Sequence, residues 1–119
     1  MHVEEFRAYC LTKKGITETF PFDAHTLVFK VMGKMFALCG LERKPTQVNL
    51  KCNPERALDL REAYDGVIIP GYHMSKVHWN TVLIEQLPTE ILQELIDHSY
   101  DLVVSKLTKK LKIALKELP

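Results

Sequence analysis

Two apolar runs, residues 27–32 and 35–41, flank Gly33-Lys34, and this arrangement limits what the chain can fold into more than any other feature. A two-residue loop with glycine first suits a type II′ turn, so the runs are expected to form an antiparallel hairpin. Pairing across that loop matches residue 31 with 36 and residue 29 with 38. Leu27, Phe29, Val31, Phe36 and Leu38 then share one face. Val28, Lys30, Met32, Met35, Ala37 and Cys39 take the other, which is smaller, softer and partly polar. The first face is predicted to be core and the second to be half covered.

Residues 46–52 alternate, with Val48, Leu50 and Cys52 on one side and Gln47, Asn49 and Lys51 on the other, which predicts a third antiparallel strand. Lys30, Gln47, Asn49 and Lys51 thus mark a polar sheet face, with helices expected over the opposite one. Residues 17–22 and 67–69 read as short extended pieces, and residues 79–84 as a last strand. Residues 3–14 carry Val3, Phe6 and Cys10 at helical spacing before Gly15, which ends the helix. Asn53-Pro54 opens a second helix, because Asn caps and Pro lacks an N–H at a position where none is needed. Beyond Pro88, an apolar stripe from Ile91 to Leu107 predicts a long helix. Thr108 is expected to interrupt it before a second stripe of Leu111, Ala114, Leu115 and Leu118. The prediction is an α+β fold of two layers, an antiparallel sheet packed on one face by helices, in a single domain over residues 1–119.

Net charge is +1, with 16 basic residues against 15 acidic ones, so no global field draws the chain to a polyanion. The clear local segregation is Lys106, Lys109, Lys110, Lys112 and Lys116 near the C-terminus, read as the solvated face of a terminal helix. No apolar run approaches the ~18 residues of a membrane span, and the first residues lack a basic-then-apolar leader. Three cysteines in no CxxC pair fit a reduced, cytoplasmic setting better than a disulfide framework. Cys39 and Cys52 are candidate nucleophiles only in name, since core-facing thiols are inert. Gly33, Gly40, Gly66 and Gly71 are isolated turn glycines, with no phosphate loop or dinucleotide fingerprint among them. His73 and His78 are five apart, a spacing that suits neither a helical metal pair nor a Cys-assisted site. No catalysis, metal or cofactor is expected.

The stretch 71–82 stands out. It reads Gly-Tyr-His-Met-Ser-Lys-Val-His-Trp-Asn-Thr-Val and holds the single Trp among small polar residues. It is too polar for a core strand and too aromatic for a plain linker.

The order of motifs resembles the MmcQ/YjbR family of small bacterial proteins over nearly the full length. The matching residues include Thr19-Phe20-Pro21-Phe22, Gly33-Lys34-Met35-Phe36-Ala37, Asn53-Pro54-Glu55 through Arg61, Pro70-Gly71-Tyr72-His73-Met74, and Lys76-Val77-His78-Trp79-Asn80-Thr81-Val82. The resemblance implies a two-layer fold related to the frataxin-like arrangement. It also implies DNA binding through two hairpin turns, the "double wing". These map onto Gly33-Lys34 and residues 42–45, which carry Lys34, Arg43 and Lys44.

On that reading the protein is a monomeric, weakly selective DNA-binding module. Lys76 meets a phosphate, Tyr72 or Trp79 stacks on a base, and His73, His78 and Asn80 complete the surface. A structural reading of the same loop has Trp79 plugging the core while His73 and Asn80 hold irregular backbone. A different function is also open: a protein- or small-ligand-binding domain that uses the half-polar sheet face. A continuous cationic stripe favours DNA, and a concave pocket beside Trp79 favours a ligand.

Overall fold

In a computed structural model describing residues 1–119, the hairpin forms between β2 (Thr26–Val31) and β3 (Lys34–Gly40), but its register differs from the predicted one. The turn residues are Met32 and Gly33, with φ of 49° and 84°. Two positive φ values in succession make a type I′ turn, whose twist matches that of the strands. Val31 therefore pairs with Lys34 and Lys30 with Met35, after which the register shifts and Phe29 pairs with Ala37. The extra residue is Phe36, a β-bulge. Both Phe36 and Ala37 consequently reach the core, Cys39 joins them, and Leu38 turns to the opposite face.

The bulge is held from outside the sheet. Ser99, fully buried on the long helix, donates its hydroxyl to the Phe36 carbonyl and accepts from the Lys51 N–H at 2.9 Å. One side chain thus satisfies two backbone groups that the bulge withdraws from the ladder.

The sheet has six strands in the order β1-β2-β3-β4-β6-β5, with β1 at Ile16–Thr19, β4 at Gln47–Lys51, β5 at Ile68–Pro70 and β6 at Trp79–Leu83. All pairings are antiparallel. Helices α1 (Val3–Leu11), α2 (Pro54–Ala63), α3 (Thr89–Ser105) and α4 (Lys109–Glu117) complete an α+β fold. Asn53 caps α2 through its side chain, and Thr108 caps α4, ending the α3 stripe where predicted. Phe6 and Cys10 of α1, and Leu92, Leu95, Ile96 and Val103 of α3, bury against Leu27, Phe29, Val31, Val48 and Leu50. No helix of the chain is long and apolar enough to cross a membrane.

Candidate functional site

Strand alternation leaves Val28, Lys30, Met35, Leu38, Gln47, Asn49, Lys51, Trp79 and Thr81 on the face away from the helices. In place of a helix, residues 71–78 fold back across this outer face. Trp79, only 7 % exposed, packs on Val28 and Leu38 with Met35 and Met74 beside it. The ring plugs a small second core on the outer face. That burial corrects its reading as a base-stacking surface group.

The loop is pinned on both sides. Asn49 donates to the Tyr72 carbonyl at 3.2 Å, the Tyr72 N–H donates to the Thr81 hydroxyl at 2.8 Å, and Thr81 donates back to Asn49. Gly71 donates to the Trp79 carbonyl at 3.0 Å, and a Cβ on Gly71 would stand 2.8 Å from that oxygen. From the helical side, Arg61 of α2 donates to the Asn80 side chain at 2.7 Å and to the Lys76 and Trp79 carbonyls. Asn80 is 2 % exposed and donates to the Ala57 carbonyl. It therefore anchors the loop to α2, and its reading as a surface donor is corrected. Sequence reasoning passed over Arg61 as a clamp, because nothing local links it to a loop fifteen residues later.

What stays open is a groove of about 400 Å³ on the outer face. Its floor is Leu38 and the row Thr26–Gly40–Gln47, and the stem of Arg43 lies over the middle position, its Cγ 3.5 Å from where a Gly40 Cβ would stand. One rim carries Phe22 and Asp23, and the other carries Tyr72, His73 and Met74, with Arg43 beyond the end of β3. The Arg43 guanidinium lies 4.1 Å from the Tyr72 ring centre, and the His73 ring is 4.0 Å from the same ring. Arg43 is thus oriented by a cation–π contact while making no hydrogen bond or ion pair of its own. His73 takes a positive φ of 59°, the sort of backbone outlier that clusters at binding sites. Backbone N–H groups of His25 and Thr26 hold the Asp23 carboxyl below its ordinary range.

The sheet and its loops carry an excess of cations. Lys30 and Lys51 lie on the sheet's outer face and Arg43, Lys44 and Lys76 on its loops, whereas Lys34, paired with the core residue Val31, turns to the helical side; the acids of the sheet and these loops are Glu18, Asp23 and Glu42. None of the six cations enters an ion pair. Most acids lie on the helices, among them Glu90, Glu94, Asp97 and Asp101 of α3. The two cationic turns nevertheless do not meet. Lys34 begins β3, and Arg43 and Lys44 follow its end, so about 20 Å of strand separates them at ~3.3 Å per residue. Lys76 and His78 are exposed on the loop near the Lys51 end of the face, whereas Tyr72 and His73 reach Arg43 at the other.

The thiols behave as core groups. Burial pushes the Cys39 thiol up to about 11 and raises those of Cys10 and Cys52 as well. No three His, Cys, Asp or Glu side chains gather closely enough to hold a metal ion.

The YjbR family profile matches residues 11–102. The chain belongs to the YjbR family. Among its relatives, the Escherichia coli K12 protein YjbR is 32% identical over 120 residues, covering 99% of this chain and 100% of that one. YbdF of Escherichia coli O157:H7 is 39% identical over 92 residues, 76% of this chain and 75% of YbdF. The crystal structure of Deinococcus radiodurans protein DR2400 superposes with a TM-score of 0.89 at 44% identity, covering 98% of this YjbR-family chain and 88% of DR2400. A Pseudomonas syringae protein of solved structure gives 0.74 at 28% identity, over 86% of this chain and 98% of that one.

Proposed function

We propose that this YjbR-family protein is a binding protein that takes a small anionic ligand in the outer-face groove. One observation carries the proposal: Arg43 is held on the groove rim by Tyr72, with every guanidinium N–H left free for a ligand. A planar fork with unspent donors suits a carboxylate or phosphate. The groove volume of about 400 Å³ falls within the range of small-molecule sites, and the unpaired lysines of the same layer add a favourable field. The proposal assigns no chemistry to the buried thiols, which burial raises away from reactivity.

A thermal-shift survey of anionic metabolites tests this. A ligand at 100 times its Kd stabilises by about 2.7 kcal/mol, and Arg43→Gln should abolish the shift while costing the unliganded protein no more than the ~0.5–1 kcal/mol of an exposed cation–π contact. A survey in which no anion moves the melting temperature, or in which Arg43→Gln responds like the parent, defeats the proposal.

The collection of five unpaired cations on the outer layer, with Lys34 at the sheet's edge, also favours a second reading, DNA contact. It requires affinity falling with salt at a log–log slope of about −0.9 per phosphate neutralised. Charge reversal at Lys34 should matter as much as at Arg43. An affinity that ignores Lys34 points back to the groove alone.

A further inference from the structure

Resting on the groove reading above, the geometry points to a narrower ligand class: a nucleobase joined to a phosphate, as in a nucleoside monophosphate or one unit of a single strand. Three features of the groove match the three parts of such a molecule.

The first is an aromatic wall. Phe22 is 64 % exposed although it is a large apolar side chain lining a concave surface. Neither ring face is used in an aromatic contact within the protein, so a planar ring can lie against it. Tyr72, the other rim aromatic, is already engaged by Arg43 and His73 and serves to position the cation. The ring and the anion therefore belong at opposite ends of the groove.

The second is an edge-reading group. The Gln47 side-chain amide is half-buried on the floor and makes no hydrogen bond to the protein. A free amide offers a donor and an acceptor side by side, the pattern that pairs with the edge of a heterocyclic base. Asp23, on the Phe22 rim, stays ionised and adds an acceptor for an exocyclic amino group.

The third is polarity along the groove. Its carboxylate lies at the Phe22 end, and the Arg43 guanidinium lies at the Tyr72 end. A ligand with donors on its ring and an anion at its far end complements that gradient. A bare polyanion meets Asp23, and an uncharged ring leaves Arg43 idle.

The test is a titration of the intact protein with AMP, CMP, UMP, ribose 5-phosphate and adenosine, followed by calorimetry and by the fluorescence of Trp79, which packs directly on the groove residues Leu38 and Met74. AMP and CMP should bind at least tenfold more tightly than ribose 5-phosphate or adenosine. Phe22→Ala should lower AMP affinity about tenfold or more, as loss of a stacking ring does, with no change for ribose 5-phosphate. Gln47→Ala should narrow the difference between AMP and UMP. A short single-stranded oligonucleotide distinguishes the sources. If it binds more tightly than AMP through the same Phe22 dependence, the unit comes from a strand; otherwise it is a free nucleotide. Ribose 5-phosphate binding as tightly as AMP overturns the base inference and leaves the anion reading standing. If none of these compounds binds and no other anion shifts the melting temperature, both fail together.

Discussion

Replacing Trp79 with alanine tests whether the outer face carries a true second core. The ring is 7 % exposed and packs on Val28 and Leu38, with Met35 and Met74 at its edge. Truncating a buried aromatic costs ~3–5 kcal/mol, the lower figure where neighbours can collapse into the void. The adjoining groove and the flexible Met74 side chain permit such collapse, so about 3 kcal/mol is expected. Unfolding entropy for a chain of this length is roughly 0.25 kcal/mol/K, which converts the loss into a drop of about 12 °C in Tm. Thermal and urea unfolding followed by circular dichroism measure it, and Trp79→Phe should recover most of the loss. Pairing Trp79→Ala with Val28→Ala should give less than the sum of the two, because they share one cavity. A Trp79→Ala cost under about 1 kcal/mol, far below the buried-aromatic range, would refute the plug and return the ring to the surface.

Three other contacts of the fold can be tested in the same way. Ser99→Ala orphans the Phe36 carbonyl and the Lys51 N–H together and should cost about 1–3 kcal/mol in chemical denaturation; a neutral substitution would show that the bulge needs no pin. Gly71→Ala forces a Cβ against Trp79 at 2.8 Å and should destabilise by about 1–3 kcal/mol, with faster hydrogen exchange at the Gly71 and Trp79 amides as the local signature. His98 accepts from the Asn53 N–H, and burial first, then Arg56, holds its imidazole below the ordinary value. The unfolded chain then takes up the proton first, so this contribution is whole above about pH 6.5 and is lost as pH falls below it. Between pH 7.5 and 5.5 the parent should lose more Tm than His98→Gln, and parallel curves would dismiss the His98 contribution.

Local chemistry accounts for what could be read in advance. The alternation of residues 47–51, the Asn53-Pro54 cap and the apolar stripe of α3 each act over a few residues, and the structure keeps all three. The hairpin register was misread because two turn types compete at Met32-Gly33-Lys34. Met32 accepts a positive φ, which a residue without glycine's freedom rarely does. That single step, with the bulge, exchanged Leu38 for Ala37 and Cys39 in the main core. The site was harder to read, since its contacts are remote in sequence. Arg43 meets Tyr72, Asn49 meets Thr81, and Arg61 meets Asn80. Lys34 was grouped with Arg43 and Lys44 by the family's wing pattern, whereas antiparallel topology sends the two turns to opposite ends of β3.

The most direct test of the groove as the binding site is amide chemical-shift mapping during titration with AMP. Gly40, Arg43, Gln47, Tyr72 and His73 should move together and saturate with one Kd, while the Met32-Gly33 turn and α3 stay still. Shifts centred on Lys34 and Lys51, or spread over the helical layer, would contradict it.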